Sequence, residues 1–156
     1  MGKKKTGTNP VTKGQYEDAL RDVVYLAACV VNGEAPDRGR CEAMNLELLY
    51  RAAKSHLLTS IAAEGLERAG IVDSAFRQAK AKAIRKNVLF DAERESIFSV
   101  FEQEGIWYMP LKGAVLKEYY PGVGLRQMAD NDILFDAGRQ KDVKEIMCRL
   151  GYSVES

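Results

Sequence analysis

Through the first two thirds of the chain apolar positions recur at helical spacing; in the last third they fall into short runs broken by glycine and proline. Tyr16, Leu20, Val23, Val24, Ala27, Val30 and Val31 stand three and four apart, which predicts an amphipathic helix over about 15–31, ended by Asn32-Gly33. The stretch 34–40, with Pro36 and Gly39, reads as a connecting loop. Asn45 suits the cap of a helix reaching Ser55, with Leu49, Ala52 and Ala53 as its buried stripe. Another helix follows, with Leu58, Ile61, Ala62 and Leu66 inside and Gly70 as its stop. Asp73 opens the longest pattern, which runs to about Gln103. Phe76, Ala83, Phe90 and Ile97 repeat every seven residues and Phe101 continues the face, so one helix of roughly 45 Å or a kinked pair is expected. This stripe reads as the core partner that the upstream helices need, in preference to a cofactor box or a dimeric coiled coil.

After Gly105 the pattern predicts a strand (about 106–111), a helix (114–120), a loop (121–129), a strand (about 130–135) and a helix (138–149). The last of these buries Val143, Ile146, Met147 and Leu150, is capped by Gly151, and leads into a third strand that begins at Tyr152. The fold class expected is α+β: a polar tail over 1–13, expected to be disordered, a helical lobe over 14–104, and an α/β part over 105–156. Pro110 has no N–H to give a ladder, so the first strand should be short, at an edge, or bulged.

Candidate chemistry gathers in this last part. Asp130 and Asp132 are two apart in a run ending in strand-like residues, and a period of two sends both carboxylates to one face. Their repulsion favours a cation between them, and a hard divalent ion such as Mg2+ takes oxygen ligands of this kind. The alternative is a plain acidic turn. Gly113 stands at the start of a predicted helix, where backbone N–H groups and the dipole favour phosphate, and Lys112 and Ala114 flank it. Lys112 could neutralise pyrophosphate or extend into water. Arg126 offers paired donors to a phosphate oxygen, or a structural ion pair. Asp136, roughly 13 Å along the strand from Asp132, is too far to share its ion and better suits a helix cap. A phosphate site beside a metal pair suggests nucleotidyl transfer.

The sequences LKGAVLKEYYP, GLRQMADNDILFD and the closing LGY, within residues 105–152, resemble the uncharacterised bacterial nucleotidyltransferases of the polymerase-beta-like superfamily. LELLYRAAKSHLLTSIAAEGL looks more loosely like the helical region that precedes the site there. Three residues depart from the superfamily pattern: Ala114 in place of a second small polar residue, Asn131 between the aspartates where an apolar residue is expected, and Pro110 within the strand. Asn131 faces away from the pair and so threatens packing beneath it. The resemblance implies a partial polymerase-beta-like nucleotidyltransferase core that uses one or two Mg2+ ions, held by Asp130 and Asp132 as catalytic and metal residues. An NTP would be bound through Lys112, Gly113, Ala114 and Arg126, and the nucleoside monophosphate would pass to a hydroxyl of an unidentified acceptor. It also implies a third carboxylate on a later strand. Glu155 is not given that role, and the chain is expected to be an N-terminal fragment of a longer enzyme, inactive alone. The rivals are a nucleotide-sensing or protein-interaction module and an antitoxin-like partner.

Composition narrows the partners. The chain has 156 residues, 46% apolar and 29% charged, with net charge +1. Lys3, Lys4, Lys5 and Lys13 lie in an acid-free opening stretch, and without them 19 basic residues face 22 acidic ones, which argues against a general nucleic-acid grip. Cys29, Cys41 and Cys148 form neither a disulfide framework nor a metal spacing, which fits a reducing cytoplasm. No apolar run approaches the ~18 residues of a membrane span, and the myristoylation-like pattern at residues 1–6 reads as a solvated tail. The basic cluster Lys80, Lys82, Arg85 and Lys86 reads as a solvated face that could guide an anionic substrate. His56, the only histidine, reads as a hydrogen-bonded packing residue at a helix junction. An exposed strand edge in the α/β part suggests a homodimer.

Overall fold

The computed structural model describes residues 11–153. Residues 1–10, with the myristoylation-like pattern and three of the four tail lysines, lie outside the described residues, as does Glu155. Helix α1 (Lys13–Val31) starts earlier than the polarity pattern predicts, because Thr12 and Gln15 form a reciprocal capping box. Gln15 N–H donates to Thr12 Oγ1 at 3.2 Å and Thr12 N–H to Gln15 Oε1 at 2.9 Å. The expected loop after α1 contains a short helix, α2 (Arg38–Glu42), started by Asp37, whose carboxylate accepts from Arg40 N–H at 2.7 Å. Helices α3 (Leu46–Ser55), α4 (Thr59–Arg68) and α5 (Ser74–Gln103) stand where the periodicity puts them. Asn45 caps α3 and Asp73 caps α5, as their side chains predict.

Helix α1 packs on α3 and α4, and α4 packs on α5. Leu26, Leu49, Ala52, Leu66 and Phe76 lie at the centre of this helical core. Phe76 comes from the first turn of α5. The far end of the same helix supplies Ile97 and Phe101 to a second core with Ile106, Val143 and Ile146. One 30-residue helix is therefore the spine of both halves. Its ending is set by Gly105 at φ +62, where Ile106 N–H turns back to Phe101 C=O at 2.8 Å and drops the Ile106 side chain into the second core.

Strands β1 (Tyr108–Pro110) and β2 (Ile133–Phe135) pair antiparallel, with Tyr108 opposite Phe135 and Pro110 opposite Ile133. Between them lie a one-turn helix α6 (Gly113–Leu116) and a 3-10 turn (Lys117–Tyr119), shorter together than the expected 114–120 helix. After β2, Asp136 accepts from Gly138 N–H at 2.9 Å and starts the turn into α7 (Gln140–Arg149). Helices with one small sheet make the fold α+β. Both strands are shorter than the pattern predicts, and Tyr152 and Ser153 begin no third strand. Pro110 costs no ladder bond: Trp107 C=O and Leu111 N–H bond to Asp136 and Asp132, so alternation turns the Pro110 nitrogen away from β2. Tyr108, Ile133 and Phe135 face the second core, while Met109 and Leu134 are exposed on the other face. Among the described residues no helix is long and apolar enough to cross a membrane.

Candidate functional site

The sheet register brings the two pieces of the site together. Leu111 N–H donates to Asp132 C=O at 2.9 Å, which sets Lys112 beside the second aspartate. Lys112 Nζ then lies 3.0 Å from Asp132 Oδ2. That hydrogen bond and the charge of Asp132, with a smaller contribution from Asp130, raise the ammonium above its ordinary pKa. Lys112 holds φ +45, a strained conformation for a residue with a side chain, of the kind that collects at functional sites. Asp130 and Asp132 themselves precede β2 and do not lie on it, a correction to the strand over 130–135. They share a cleft of about 310 Å3 with Lys112, Gly113 and Arg126.

Ala114 does not line that cleft. Its side chain is buried and its N–H is spent on Leu111 C=O, so this position supports the turn. A one-turn α6 also carries little macrodipole, which leaves Lys112 and Arg126 as the main attraction for an anion. Arg126 Nε is buried without a hydrogen-bond partner. That buried Nε–H is an unsatisfied donor, and Arg126 is among the residues that line the cleft. Gly113 lies beneath this group: a Cβ there would stand 3.7 Å from Arg126 Nη2 and 2.8 Å from Met128 Sδ. Glycine at 113 therefore makes room for Met128 as much as for a ligand.

The loop carrying Arg126 to Asp132 is tied to the helices at several points. Gly124, at φ +78, lies so close to α5 that a Cβ would meet Ile84 Cα at 2.8 Å. Buried Asn87 donates to Arg126 C=O at 3.1 Å. Asn131 donates to Phe90 C=O at 3.2 Å and accepts from Arg94 at 2.9 Å. The expectation that Asn131 would disturb packing is thus corrected: its amide fastens the aspartate loop to α5. Gln127 Oε1 accepts from Thr59 Oγ1 at 2.8 Å and from Ser60 N–H at 3.1 Å. Helix α4 has no capping side chain of its own, and Gln127 takes that place from across the site.

A family model described as "Uncharacterised nucleotidyltransferase" matches residues 42–156. The chain belongs to that nucleotidyltransferase family. Comparison with curated proteins and with solved structures finds no match. The matched span takes in α3 and α4 as well as the two site pieces, so it includes the α3–α4 junction, residues 56–58, that walls the cleft.

One of those walls holds residues that sequence reasoning missed. His56 is exposed, makes no side-chain hydrogen bond among the described residues, and lines the same cleft as Asp130 and Asp132. It is not the hydrogen-bonded packing histidine expected. Sequence distance hid it: the end of α3 returns to the site through the fold. Its neighbour Leu57 holds φ +56 in the position after the cap of α3 where glycine is usual, with Leu58 N–H closing on Ala53 C=O at 2.8 Å. Half-exposed, Leu57 forms a lip of the cleft. The basic cluster divides. Lys80 is paired with Glu64 and Glu67, whereas Lys82, Arg85 and Lys86 are exposed.

Proposed function

We propose that this nucleotidyltransferase-family chain uses Mg2+ to transfer a nucleoside monophosphate from an NTP to a hydroxyl of an acceptor, in the polymerase-beta-like manner. The observation that carries the reading is the convergence, in one cleft, of two carboxylates with two cationic side chains, one of them the orphaned Arg126. The donor set fits the metal. Asp130 and Asp132 would supply hard oxygens to Mg2+, and the Lys112 ammonium lies at Asp132, where a cation is favoured. When bound, Mg2+ would supply charge neutralisation at the phosphates.

The chain's own residues would do the rest. Arg126 would hold a non-bridging phosphate oxygen through its paired N–H groups, and Lys112 would follow the leaving pyrophosphate. The acceptor oxygen would attack the α-phosphorus, forming a new P–O bond as the bond to the β-phosphate oxygen breaks and pyrophosphate leaves. The hydroxyl proton would pass to an imidazole nitrogen of His56, which lines the same cleft.

Calorimetric titration of each NTP, with and without Mg2+, tests the proposal. Mg2+ should tighten binding at least tenfold in the native chain, and replacing Asp130 and Asp132 together by Asn should abolish that gain, because amides cannot offset a divalent charge. An unchanged Mg2+ effect in the double variant would refute the assignment. A second reading, nucleotide sensing without turnover, is favoured by one observation: among the described residues no third acidic, histidine or cysteine side chain joins the pair. A radiolabelled transfer assay decides between the two.

A further inference from the structure

A second cleft, of about 290 Å3, lies against the first and shares Leu57, Gln127 and Met128 with it as a common wall. Its other lining differs in kind. Lys54, from the last turn of α3, and Lys82 and Lys86, one turn apart on α5, edge it with Tyr50, and Ala79 and Ala83 are also in its lining. No acidic side chain lines it. Among the described residues none of the three lysines has an ion-pair partner, although Lys80 on the same helix is taken by two glutamates. Lys86 Nζ sits 5.0 Å from the centre of the Phe90 ring, a contact that leaves its N–H groups available to an anion.

We propose that this cleft binds the acceptor, and that the acceptor is a small hydroxyl-bearing phosphate monoester. The inference rests on the transferase reading and deepens it by naming the substrate class. Three unopposed ammonium groups suit a phosphate dianion better than a single carboxylate, and the alanine and tyrosine lining suits a compact organic body. With the phosphate held by the lysines, the hydroxyl can reach over the Leu57–Met128 wall toward the α-phosphorus in the first cleft. Leu57, held at φ +56, contributes its side chain to the wall shared by the two clefts. A nucleic-acid strand fits less well, because Lys80 beside the cleft is already neutralised by Glu64 and Glu67, which would repel a neighbouring phosphate.

The full chain is titrated with 4-nitrophenyl phosphate, followed by NMR, alone and with saturating Mg2+ and a non-hydrolysable ATP analogue. Native protein should bind the probe saturably, and Lys54→Gln/Lys82→Gln/Lys86→Gln, all at exposed positions, should weaken it at least tenfold while nucleotide affinity stays within twofold. Arg126→Gln should leave probe binding unchanged, and neutral 4-nitrobenzyl alcohol should bind far more weakly. Absence of saturable binding, equal binding by the triple variant, or displacement of the probe by the nucleotide would overturn the proposal. So would a single-stranded oligonucleotide that binds the three lysines more tightly than the probe. Probe binding through the lysines in a chain that binds no nucleotide would leave the phosphate site standing and overturn the reading of the first cleft instead.

Discussion

Replacing Gln127 by Leu should loosen the fold and the site together. The side chain keeps its bulk but loses the oxygen that accepts from Thr59 Oγ1 and Ser60 N–H. Loss of a helix cap costs about 1 kcal/mol. The Thr59 hydroxyl, only 4% exposed, also loses its acceptor, and a buried donor left unsatisfied costs about 1–3 kcal/mol. Both clefts border Gln127, so water can enter and take part of that second cost. The sum expected is about 2 kcal/mol, which at this chain length lowers Tm by about 4–8 °C. Urea and thermal unfolding followed by far-ultraviolet circular dichroism should show a lower midpoint at an unchanged m-value. Gln127→Glu is the control: it keeps an acceptor and sets a negative charge at a helix N-terminus, so its stability should stay near the native value. A Leu variant within about 0.5 kcal/mol of native would refute the idea that the site loop caps α4.

Gly124→Ala should cost more than about 2 kcal/mol, since a Cβ must be placed both at φ +78 and against the α5 backbone; unfolding and nucleotide titration of the residual folded protein should both report it. Leu57→Gly should raise stability by about 0.5–1 kcal/mol by relieving a left-handed leucine, read as a higher urea midpoint. Asp91 gives a pH dependence. Burial pushes its carboxyl up, but hydrogen bonds from Lys117 and Arg94 outweigh that and hold it below its ordinary 3.8. Its contribution is therefore complete above the ordinary value and is lost as pH falls through the lowered one, so Asp91→Asn should flatten the stability curve below about pH 4.

How far the sequence reveals this molecule depends on how local each cause is. Helices α1, α3, α4 and α5 follow from three- and four-residue spacing, and Asn45, Asp73 and Asp136 cap because a capping oxygen reaches only its own first turn. The strands are overestimated because a run of apolar residues does not reveal how many will find a partner; here the ladder closes at Leu111 and Asp132. The seven-residue repeat on α5 is also read too simply. Phe90 is only half-buried, while Asn87, a polar residue between repeats, is 2% exposed because Arg126 C=O needs a donor there. Of the candidate residues, Lys112, Gly113, Arg126, Asp130 and Asp132 line one cleft and Ala114 does not. Gln127, Leu57 and His56 leave no such trace, because their roles arise from contacts between α3, α4 and a loop far along the chain.

The distribution of these contacts bears on how the site would work. Nearly every tie that positions it runs to the rigid helices: Gly124 against Ile84, Asn87 to Arg126, Asn131 to Phe90 and Arg94, Gln127 to α4, and Lys117 to Asp91. The groups proposed to meet the ligand are held differently. Asp130 is exposed, Lys112 extends into solvent, and the Lys112–Asp132 pair is a surface contact that water and ions compete for readily. A frame fixed by partly buried hydrogen bonds thus presents an ion pair that can be exchanged. The exposed Lys112 ammonium could leave Asp132 at little cost, freeing that carboxylate for the proposed metal, and the strained backbone at residue 112 would keep the released charge in the cleft. Under the proposed function, the Lys112–Asp132 contact would be the resting form of the site, with Lys112 beside the carboxylate that would hold the metal.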